Sequence, residues 1–599
     1  MAPSAESPPS RLPDFESLPK RYGWPTANEK GYQLMEQLAG TERPLRVVHI
    51  GAGASGICLA KFLPERLNNV SFTCYDKNAD IGGTWLENRY PGCACDIPSV
   101  NYQFTWARNP NWSKFYSEAH EIWQYFKDIV DRFGLARHFK LSHEVIGAYW
   151  KEDTGVWEVQ VKDLNNGKVF VDKAEILING SGVLNHWEWP RIEGLLDFKG
   201  VKCHTANYPE GLDLSGKRVA VIGIGSSGVQ VIPKIAPQVS KLYTWVRSPT
   251  WITAGFAQKF AGPNGQNFEY STEQKERWAD DHEEYLQYCK EVENELNQRF
   301  KFILQGTPEA AAAQDFSTKE MRKKLGERRD IMQKLIPSTF QLGCRRPTPG
   351  NGFLEALTLP HVTTFTEQIE RITETGFIDH EGKTHEVDVI ICATGFNTSW
   401  VPRFPIVARG INIQDHYRDN PPISYISSGV PKIPNYFTSF GPYGPHGHGS
   451  FLPIVERLLH NCLTMVQKVQ VENIKSFAPK PEACEAFIEQ AQLFLKRTAF
   501  SGDCPSWFKQ GRRDGPLSIF PGSRLTFFRL HAAPRYEDFD YTYVNGNRFG
   551  WLGNGFSVEE YDASDLSYYL GTRESPGALL PAHPPPLPHG QVIGAEEGE

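Results

Sequence analysis

The feature that most constrains this chain is a glycine pattern that occurs twice, once from Gly51 and again 172 residues later from Gly223. "VVHIGAGASGICLA" and "VAVIGIGSSGVQVI" each lead from a β-branched run through G-x-G-x-x-G into a helix-compatible stretch. The first glycine of such a turn permits a tight bend, the second lets backbone approach a pyrophosphate, and the third packs helix on strand. We therefore predict two dinucleotide sites, formed by Gly51, Gly53 and Gly56 and by Gly223, Gly225, Ser226, Ser227 and Gly228.

The residues that follow the second strand of each unit distinguish the two ligands. Asp76 lies 20 residues after Gly56, where a carboxylate accepts hydrogen bonds from ribose hydroxyls and repels a 2′-phosphate. Arg247, with Ser248 beside it, lies 19 residues after Gly228 and favours the 2′-phosphate of NADP. The alternatives are a turn-capping carboxylate for Asp76 and a surface cation for Arg247.

A chain of 599 residues is too long for one hydrophobic core. The strand and helix order predicts an α/β fold with two Rossmann-like dinucleotide-binding domains, for FAD and NADPH, the second with a helical insertion. Residues up to about 20 and the Pro-rich C-terminal tail are expected to lack packed structure. The expected divisions are a partly disordered extension (1–39), an FAD domain (40–180 and 392–575, with substrate-cavity elements in its second part), an NADPH domain (181–391, insertion about 265–338) and a disordered tail (576–599).

Composition excludes several functional classes. The net charge is −7 without a basic stripe, which argues against nucleic acid as a partner. No transmembrane segment is predicted, and the eleven cysteines, without metal-type spacing, indicate reduced thiols in a cytoplasmic protein. His446 and His448 lack further ligands at useful spacing, so no metal site is expected. The oligomeric state is left open.

Two nucleotide sites imply electron transfer between two carriers, and FAD is the natural acceptor for a hydride from NADPH. The strands in "AEILINGSGVL" and "DVIICATGF" end in small residues that allow close approach to a cofactor. Cys93 and Cys95 are separated by only one residue, so the ring that a disulfide between them would close is strained and does not suit redox cycling. Oxygen is therefore favoured over a disulfide as the final electron acceptor.

Three motifs carry a family resemblance. "FKGVKCHTANYP" contains Phe198, Gly200, His204 and Tyr208 and resembles the F-x-G-x-x-x-H-x-x-x-W fingerprint of Baeyer–Villiger monooxygenases, with Tyr208 in place of tryptophan. "GGTWLENRYPGCACDIPS" and "GCRRPTPGNGF" resemble two further patterns of this family. The aromatic segment from residue 506 resembles fungal members.

The resemblance implies that a ketone is converted with O2 and NADPH to an ester or lactone through a C4a-peroxyflavin. The expected setting is secondary metabolism. The resemblance places Gly83, Thr84, Trp85, Asp96 and Tyr102 at FAD, and Arg345 beside Arg247 at the 2′-phosphate. Arg346 would be the catalytic arginine, held by Asp96. Phe198, Gly200, His204 and Tyr208 would couple the two nucleotide domains.

Other interpretations stay open. Arg345 and Arg346 by themselves fit a surface doublet equally well, and Trp507 is expected to fill a core. An N- or S-oxygenating flavin monooxygenase shares both glycine turns and uses a protonated hydroperoxide. A flavin reductase of a protein partner and a catalytically inert nucleotide-binding module are more distant alternatives.

Overall fold

The computed structural model describes residues 14–445, 447 and 449–570, which divide into two compact units. The smaller comprises residues 14–41, 471–473 and 544–570, and the larger residues 42–470 and 474–543. In the smaller unit, Phe15 packs edge-on against Tyr561 at 5.4 Å and lies at the start of two short helical turns. These turns lie within the extension 1–39, which is expected to be partly disordered.

The strands alternate with helices through most of the larger unit. In chain order they are β1 (Leu45–Ile50), β2 (Val70–Tyr75), β3 (Phe139–Lys140), β4 (His143–Lys151), β5 (Val156–Asp163), β6 (Val169–Ala174), β7 (Ile176–Asn179), β8 (Val201–His204), β9 (Arg218–Ile222), β10 (Lys241–Trp245), β11 (Ile252–Thr253), β12 (Thr348–Pro349), β13 (Val362–Phe365), β14 (Arg371–Ile372), β15 (Gly376–Ile378), β16 (Thr384–Glu386), β17 (Val389–Cys392), β18 (Ile406–Ala408), β19 (Ile411–Asn412), β20 (Tyr436–Thr438), β21 (Ile474–Pro479) and β22 (Phe539–Tyr543).

The α-helices range from single turns to twenty residues. They are α1 (Leu18–Tyr22), α2 (Ala54–Arg66), α3 (Thr84–Glu87), α4 (Ala119–Arg132), α5 (Ser226–Ile235), α6 (Thr272–Asp280), α7 (His282–Gln298), α8 (Pro308–Leu325), α9 (Arg329–Leu335), α10 (Phe353–Ala356), α11 (Ile413–Asp419), α12 (Leu452–Val471), α13 (Pro481–Leu495) and α14 (Arg524–Leu530).

The larger unit contains three five-stranded sheets, and in two of them every strand pair is parallel; the third, β19-β18-β4-β5-β6, is mixed. The first parallel sheet has the order β20-β7-β1-β2-β3, and the second has the order β13-β10-β9-β17-β8. In each sheet a glycine turn follows the central strand, β1 or β9, and leads into a helix, α2 or α5. Since the carboxyl ends of parallel strands share one edge, both turns open at the edge where ligands of such sheets bind.

The chain passes between the two parallel sheets at two places. Residues 180–200 lead from β7 to β8, and residues 393–405 lead away from β17. The amide of Asn397 donates to the carbonyl oxygen of His186 at 2.7 Å, so the two crossing segments contact each other. These crossings lie beside the carboxyl ends of the central strands.

Four helices, α6 to α9, occupy residues 272–335 between β11 and β12. An ion pair attaches this group to the rest of the unit, since the buried Arg524 on α14 donates to the partly exposed Glu293 on α7 at 2.7 Å. Glu293 also accepts from Asn101 at 2.9 Å. Among the described residues, no helix is long and apolar enough to span a membrane.

Candidate active site

The first and third glycines of both turns are required by close backbone packing. Gly51 and Gly223 have φ values of +105° and +113°, and a Cβ on either would lie 2.5 or 2.3 Å from the carbonyl oxygen of Gly180 or Ala393. Both oxygens belong to the small-residue ends that follow β7 and β17. The first glycine is thus required because the neighbouring strand's end crosses directly over it.

The third glycines bring helix and strand together in the same way in both units. A Cβ on Gly56 would lie 2.4 Å from the carbonyl oxygen of Gly51, and one on Gly228 would lie 2.0 Å from that of Gly223. The second glycines differ from each other. A Cβ on Gly53 would lie 3.5 Å from the Cα of Gly83, whereas a Cβ on Gly225 would meet no atom within 4 Å.

The starts of α2 and α5 fit the phosphates of a dinucleotide. No side chain caps either helix, so the first backbone N–H groups remain available at the cavity edge. Gly53, Gly225, Ser226 and Ser227 all line the cavity there. Free amides and the positive end of the helix dipole favour an anion. Both turns therefore suit a pyrophosphate.

Asp76 caps its turn and also lines the cavity. Its Oδ2 accepts from the amide of Ala52 at 2.7 Å and its Oδ1 from that of Asn78 at 2.8 Å. Burial raises the pKa of Asp76, and the two amide hydrogen bonds partly oppose that rise. A carboxylate accepts about four hydrogen bonds, so the side chain can still bind ribose hydroxyls. The turn-capping alternative and the ligand-binding interpretation are compatible.

The second unit places cations where the first places Asp76. Arg247 is exposed into the cavity, next to Ser248, and forms no ion pair with any described residue. Arg345 lines the same cavity, and its Nε donates to the carbonyl oxygen of Pro505 at 2.8 Å. Burial, followed by the charge of Arg513, lowers the pKa of Arg345. An incoming phosphate would relieve this repulsion.

Arg346 and Asp96 form a bidentate ion pair across 250 residues of sequence. Nη2 lies 2.9 Å from Oδ1, and Nη1 also bonds Oδ2. Burial acts to lower the pKa of Arg346, but the charge and hydrogen bonds of Asp96 outweigh it and leave the pKa raised. The guanidinium also lies 5.6 Å from the ring centre of Phe256. A permanent cation is therefore held in one orientation at the cavity wall.

Trp85 and Tyr102 form one aromatic corner of the cavity. Trp85 lies on α3 after Gly83 and Thr84, and its Nε1 donates to the hydroxyl of Tyr102 at 3.1 Å. The two rings meet edge to face at 5.4 Å. A fixed aromatic corner of this kind suits a flat conjugated ligand.

His204 ends β8 and links the two crossing segments. The amide of Ala206 donates to its Nδ1 at 3.1 Å, and its Nε2 lies 3.2 Å from the hydroxyl of Thr394. Trp187 stacks on the imidazole at 4.8 Å. Burial lowers the pKa of His204 to about 4, so the ring is neutral at pH 7.

The other fingerprint residues pack nearby without lining the cavity. Phe198 is buried, and a Cβ on Gly200 would strike its ring at 2.5 Å. Burial raises the pKa of Tyr208 to about 12. Among the described residues, the Tyr208 hydroxyl has no hydrogen-bond partner.

A single cavity of about 1070 Å³ collects most of the expected site residues. It is lined by Gly51, Gly53, Asp76, Gly83, Thr84, Trp85, Asp96, Tyr102, Gly223, Gly225, Ser226, Ser227, Arg247, Ser248, Arg345 and Arg346. Gly56, Gly228 and the four fingerprint residues lie behind this lining. Both glycine turns and the Arg346–Asp96 pair therefore open into one space.

One expectation is incomplete and one is wrong. Trp507 packs against a hydrophobic cluster, as expected, and it also lines the cavity, because the segment 505–507 runs along the cavity wall. Cys344 and Cys504 form a disulfide with Cα atoms 6.3 Å apart, whereas all cysteines were expected to be reduced. The fold brings together two residues 160 positions apart that no local spacing connects. The other nine cysteines are free and buried.

Sequence reasoning also missed two residues at the cavity. Ser506 lines it and Phe256 contacts Arg346, and each is an isolated residue of ordinary type in its local sequence. Thr394 lines the cavity within the small-residue strand end "ATGF", which the sequence analysis expected near a cofactor. Within the described part of the chain, no cluster of His, Cys, Asp and Glu could hold a metal, and His446 and His448 lie outside that part.

The chain is similar to known monooxygenases along most of its length. Residues 45–264 match the model of the flavin-binding monooxygenase-like family. An FAD-binding monooxygenase (tazF) from Aspergillus terreus is 39% identical over 88% of this chain and 95% of its own. The chain belongs to the flavin-dependent monooxygenases.

Two further similar proteins are a Baeyer–Villiger monooxygenase and a cyclohexanone monooxygenase. A Baeyer–Villiger monooxygenase from Pseudomonas aeruginosa is 28% identical over 82% of this chain and 90% of its own. The crystal structure of cyclohexanone monooxygenase from Rhodococcus sp. Phi1 bound to NADP+ superimposes with a TM-score of 0.71 at 29% identity, covering 83% of this chain and 99% of that one. The predicted family, enzyme class and α/β fold are confirmed, and the predicted cofactors agree with an FAD-binding relative and an NADP+-bound structural neighbour.

Proposed function

We propose that this monooxygenase inserts one oxygen atom of O2 beside the carbonyl of a bulky ketone, at the expense of NADPH, and releases an ester or lactone. The observation that carries this proposal is the Arg346–Asp96 pair in the cavity that both glycine turns share. We also propose that residues 40–180 and 392–575 bind FAD and residues 181–391 bind NADPH.

The proposed contacts follow from the two glycine turns and from the lining of the cavity. The residues assigned to FAD are Gly51, Gly53, Gly56, Asp76, Gly83, Thr84, Trp85, Asp96 and Tyr102. The residues assigned to NADPH are Gly223, Gly225, Ser226, Ser227, Gly228, Arg247, Ser248 and Arg345. Phe198, Gly200, His204 and Tyr208 are assigned to coupling, which the His204–Thr394 contact between the crossing segments supports.

When bound, reduced FAD supplies the activated oxygen for the reaction. The task of Arg346 is electrostatic: its guanidinium stabilises negative charge that develops on the reacting oxygens. Arg346 keeps its proton at every working pH, so it serves as a fixed cation and not as an acid. Asp96 holds the plane of the guanidinium by two hydrogen bonds and limits its desolvation cost.

The apolar part of the cavity supports a bulky ketone of secondary metabolism as the substrate. Phe440, Phe451 and Trp507 line it together with Ile454 and Val455. Such a wall removes water from the reacting carbonyl and binds hydrocarbon by burial. The cavity volume of about 1070 Å³ has to hold both cofactors as well.

The test is product analysis with NADPH, O2 and a mixture of a polycyclic ketone, a cyclic ketone and a thioether. We expect lactone from at least one ketone. Sulfoxide without lactone would instead support the N- or S-oxygenating alternative. NADPH oxidation that depends on an added protein acceptor would support the reductase alternative.

Arg346→Ala tests the assigned role of the cation. We expect lactone formation to fall at least ~100-fold, as on removal of one transition-state donor, while NADPH still reduces the flavin within about threefold of the wild-type rate. Arg409→Ala is the matched control, because Arg409 is paired with Glu152 on the protein surface at 2.8 Å. Normal lactone yield in Arg346→Ala would remove the proposed role.

A further inference from the structure

Ser506 has a buried hydroxyl that the fold does not use. The residue is 5% exposed and lines the cavity, and its Oγ has no hydrogen-bond partner among the described residues. It precedes the short helical turn Trp507–Lys509, yet its side chain does not cap that turn. Buried hydroxyls are nearly always hydrogen-bonded, so this one indicates a ligand that approaches from the cavity.

The backbone around Ser506 is firmly held. Its carbonyl oxygen accepts from the amides of Lys509 at 3.0 Å and Gly511 at 2.8 Å. The preceding carbonyl, of Pro505, accepts from Nε of Arg345 at 2.8 Å. The hydroxyl of Ser506 is therefore fixed next to the Arg345 side chain, which lines the same cavity.

Positive charge accumulates at this place. Two causes lower the pKa of Arg345. Burial is the larger, and the positive charge of Arg513 is the smaller. Lys509 is buried, and the pKa of its ammonium is lowered by that burial; the nearby Asp503 opposes this, while Arg513 and Arg345 add to it. Arg513 is itself paired with Asp503 at 3.2 Å, so Arg345 is the cation that lines the cavity together with Ser506. A guanidinium beside a free hydroxyl donor favours an anion such as a phosphate.

The Cys344–Cys504 disulfide joins the two segments that build this place. Cys344 immediately precedes Arg345, and Cys504 lies two residues before Ser506. Both sulfurs belong to residues that are fully buried. The covalent bond and the Arg345–Pro505 hydrogen bond thus hold the arginine segment and the serine segment together from two points.

We propose that the hydroxyl of Ser506 donates a hydrogen bond to the 2′-phosphate of NADPH, and that the Cys344–Cys504 disulfide positions Ser506 beside Arg345 for this contact. The inference rests on the proposed assignment of Arg345 to the 2′-phosphate. Ser506 binds the nucleotide, and the two cysteines are positioning residues. No bond changes in this role, because the disulfide stays oxidised throughout.

Calorimetric titration of the FAD-loaded enzyme with NADP+ and NAD+ tests the contact directly. Ser506→Ala should raise the Kd of NADP+ about 10-fold, the effect of one hydrogen bond to a charged group, and leave the Kd of NAD+ within about twofold. Ser506→Thr keeps the hydroxyl and should remain within about threefold of the wild type. An equal loss for both nucleotides, or none for either, would overturn the proposal.

Thermal unfolding separates a ligand role from a structural one. Removal of an unpartnered buried hydroxyl does not destabilise the free protein, so Ser506→Ala should keep the Tm of the FAD-loaded enzyme or raise it. The further rise in Tm that saturating NADP+ produces should shrink. A lower Tm without nucleotide and an unchanged NADP+-induced rise would assign Ser506 to the fold instead.

The double variant Cys344→Ala/Cys504→Ala tests the positioning role, with Cys484→Ala, a buried free cysteine on α13, as the matched control. We expect the double variant to raise the Kd of NADP+ at least about 10-fold with FAD content unchanged, and Cys484→Ala to change neither. In the disulfide-free background, Ser506→Ala should add less than about threefold, because the two changes act on one contact. Full additivity would refute the positioning role.

Peptide mapping after alkylation under denaturing, non-reducing conditions completes the test. We expect Cys344 and Cys504 to be recovered as one disulfide-linked pair, and recovery of both as alkylated thiols would overturn the positioning role. These outcomes are independent of the reaction. An enzyme that binds NADP+ through Ser506 but makes no lactone would refute the proposed function and leave this inference standing.

Discussion

The two glycine turns share one backbone plan but differ in how much of the site the protein itself completes. In the first, Asp76 is buried, accepts two backbone amides, and Gly53 faces Gly83. In the second, Arg247 is exposed without a described ion partner, and the space around Gly225 is open. The same βαβ unit thus builds one site closed by protein contacts and one that only a ligand would complete.

This difference separates residues that stabilise both the fold and the ligand from residues that bind the ligand alone. A residue of the closed site serves the fold and the ligand together, so its loss should reduce both. A residue of the open site serves the ligand alone, and its loss should spare stability. The first turn therefore suits a permanently held cofactor, and the second suits a nucleotide that exchanges on each turnover.

The largest expected effect is a loss of folding free energy on substitution of the first or third glycine of either turn. Gly51→Ala and Gly228→Ala would each drive a Cβ into a carbonyl oxygen, at 2.5 and 2.0 Å, and should cost more than ~4 kcal/mol of folding free energy. Gly225→Ala should fold normally, because its Cβ meets open space, and should weaken NADP+ binding about 10-fold. Soluble yield, FAD content and NADP+ titration measure these outcomes; a stable Gly51→Ala protein would break the comparison.

The next effect concerns the closed site. Asp76→Asn leaves one of two inward-pointing amides, from Ala52 and Asn78, without an acceptor and should cost roughly 2–3 kcal/mol of unfolding free energy. FAD content should fall as well. Urea denaturation of the FAD-loaded protein measures the loss, with the exposed Asp153→Asn as the control. Loss of FAD at unchanged stability would show that Asp76 serves only the ligand.

The open site should respond with affinity alone. Arg247→Ala removes the guanidinium of the proposed phosphate contact and should raise the KM for NADPH about 30-fold, or ~2 kcal/mol, with less than ~0.5 kcal/mol change in stability. The KM for NADH should barely change. Arg277→Ala, at an exposed ion pair with Glu284 on α6 and α7, is the control. An equal rise for both nucleotides would contradict the assignment.

The smallest effect is a pH dependence that the two sheets share. Burial lowers the pKa of His49 on β1 to about 3 and that of His204 on β8 to about 4. Only the unfolded chain takes up these protons as the pH falls below 6.5, so stability declines by roughly 1 kcal/mol per histidine between pH 7 and 5.5. Below pH 4 only His49 should still add to the decline in stability, because His204 is then protonated in the folded state as well.

Urea midpoints at pH 7 and 5.5 measure this contribution. His204→Gln should have a shallower decline than the wild type by about the share of one histidine. An unchanged decline would show that His204 is not neutral and buried in the folded state.

Local sequence was sufficient for the backbone plan of the site. Each glycine turn lies within a few residues of its strand and helix, so spacing alone predicted Gly51, Asp76, Gly223 and Arg247 as cavity residues. The steric reasons are visible only in the fold, since the atoms that exclude a Cβ on Gly51 belong to Gly180. The pairing of Arg346 with Asp96 came from the family resemblance, because nothing local connects residues 250 positions apart.

The contacts made by the C-terminal part of the larger unit could not be predicted. Ser506 and Trp507 line the cavity, and Cys504 reaches Cys344, only because the chain returns there after α13. Their local sequence resembles an ordinary surface loop, and Trp507 fits a core equally well. The eleven cysteines gave no pairing signal, since Cys344 and Cys504 have no distinctive spacing.

The Cys344–Cys504 bond has a practical consequence for work at the bench. It closes a loop of 160 residues, which by chain entropy alone lowers the freedom of the denatured chain by about 5 kcal/mol. Its sulfurs are shielded from solvent, so a reductant reaches them only when the surrounding segment opens. Dithiothreitol in storage buffer would therefore act slowly, and an ageing preparation would drift into a mixture of two species with different heat tolerance.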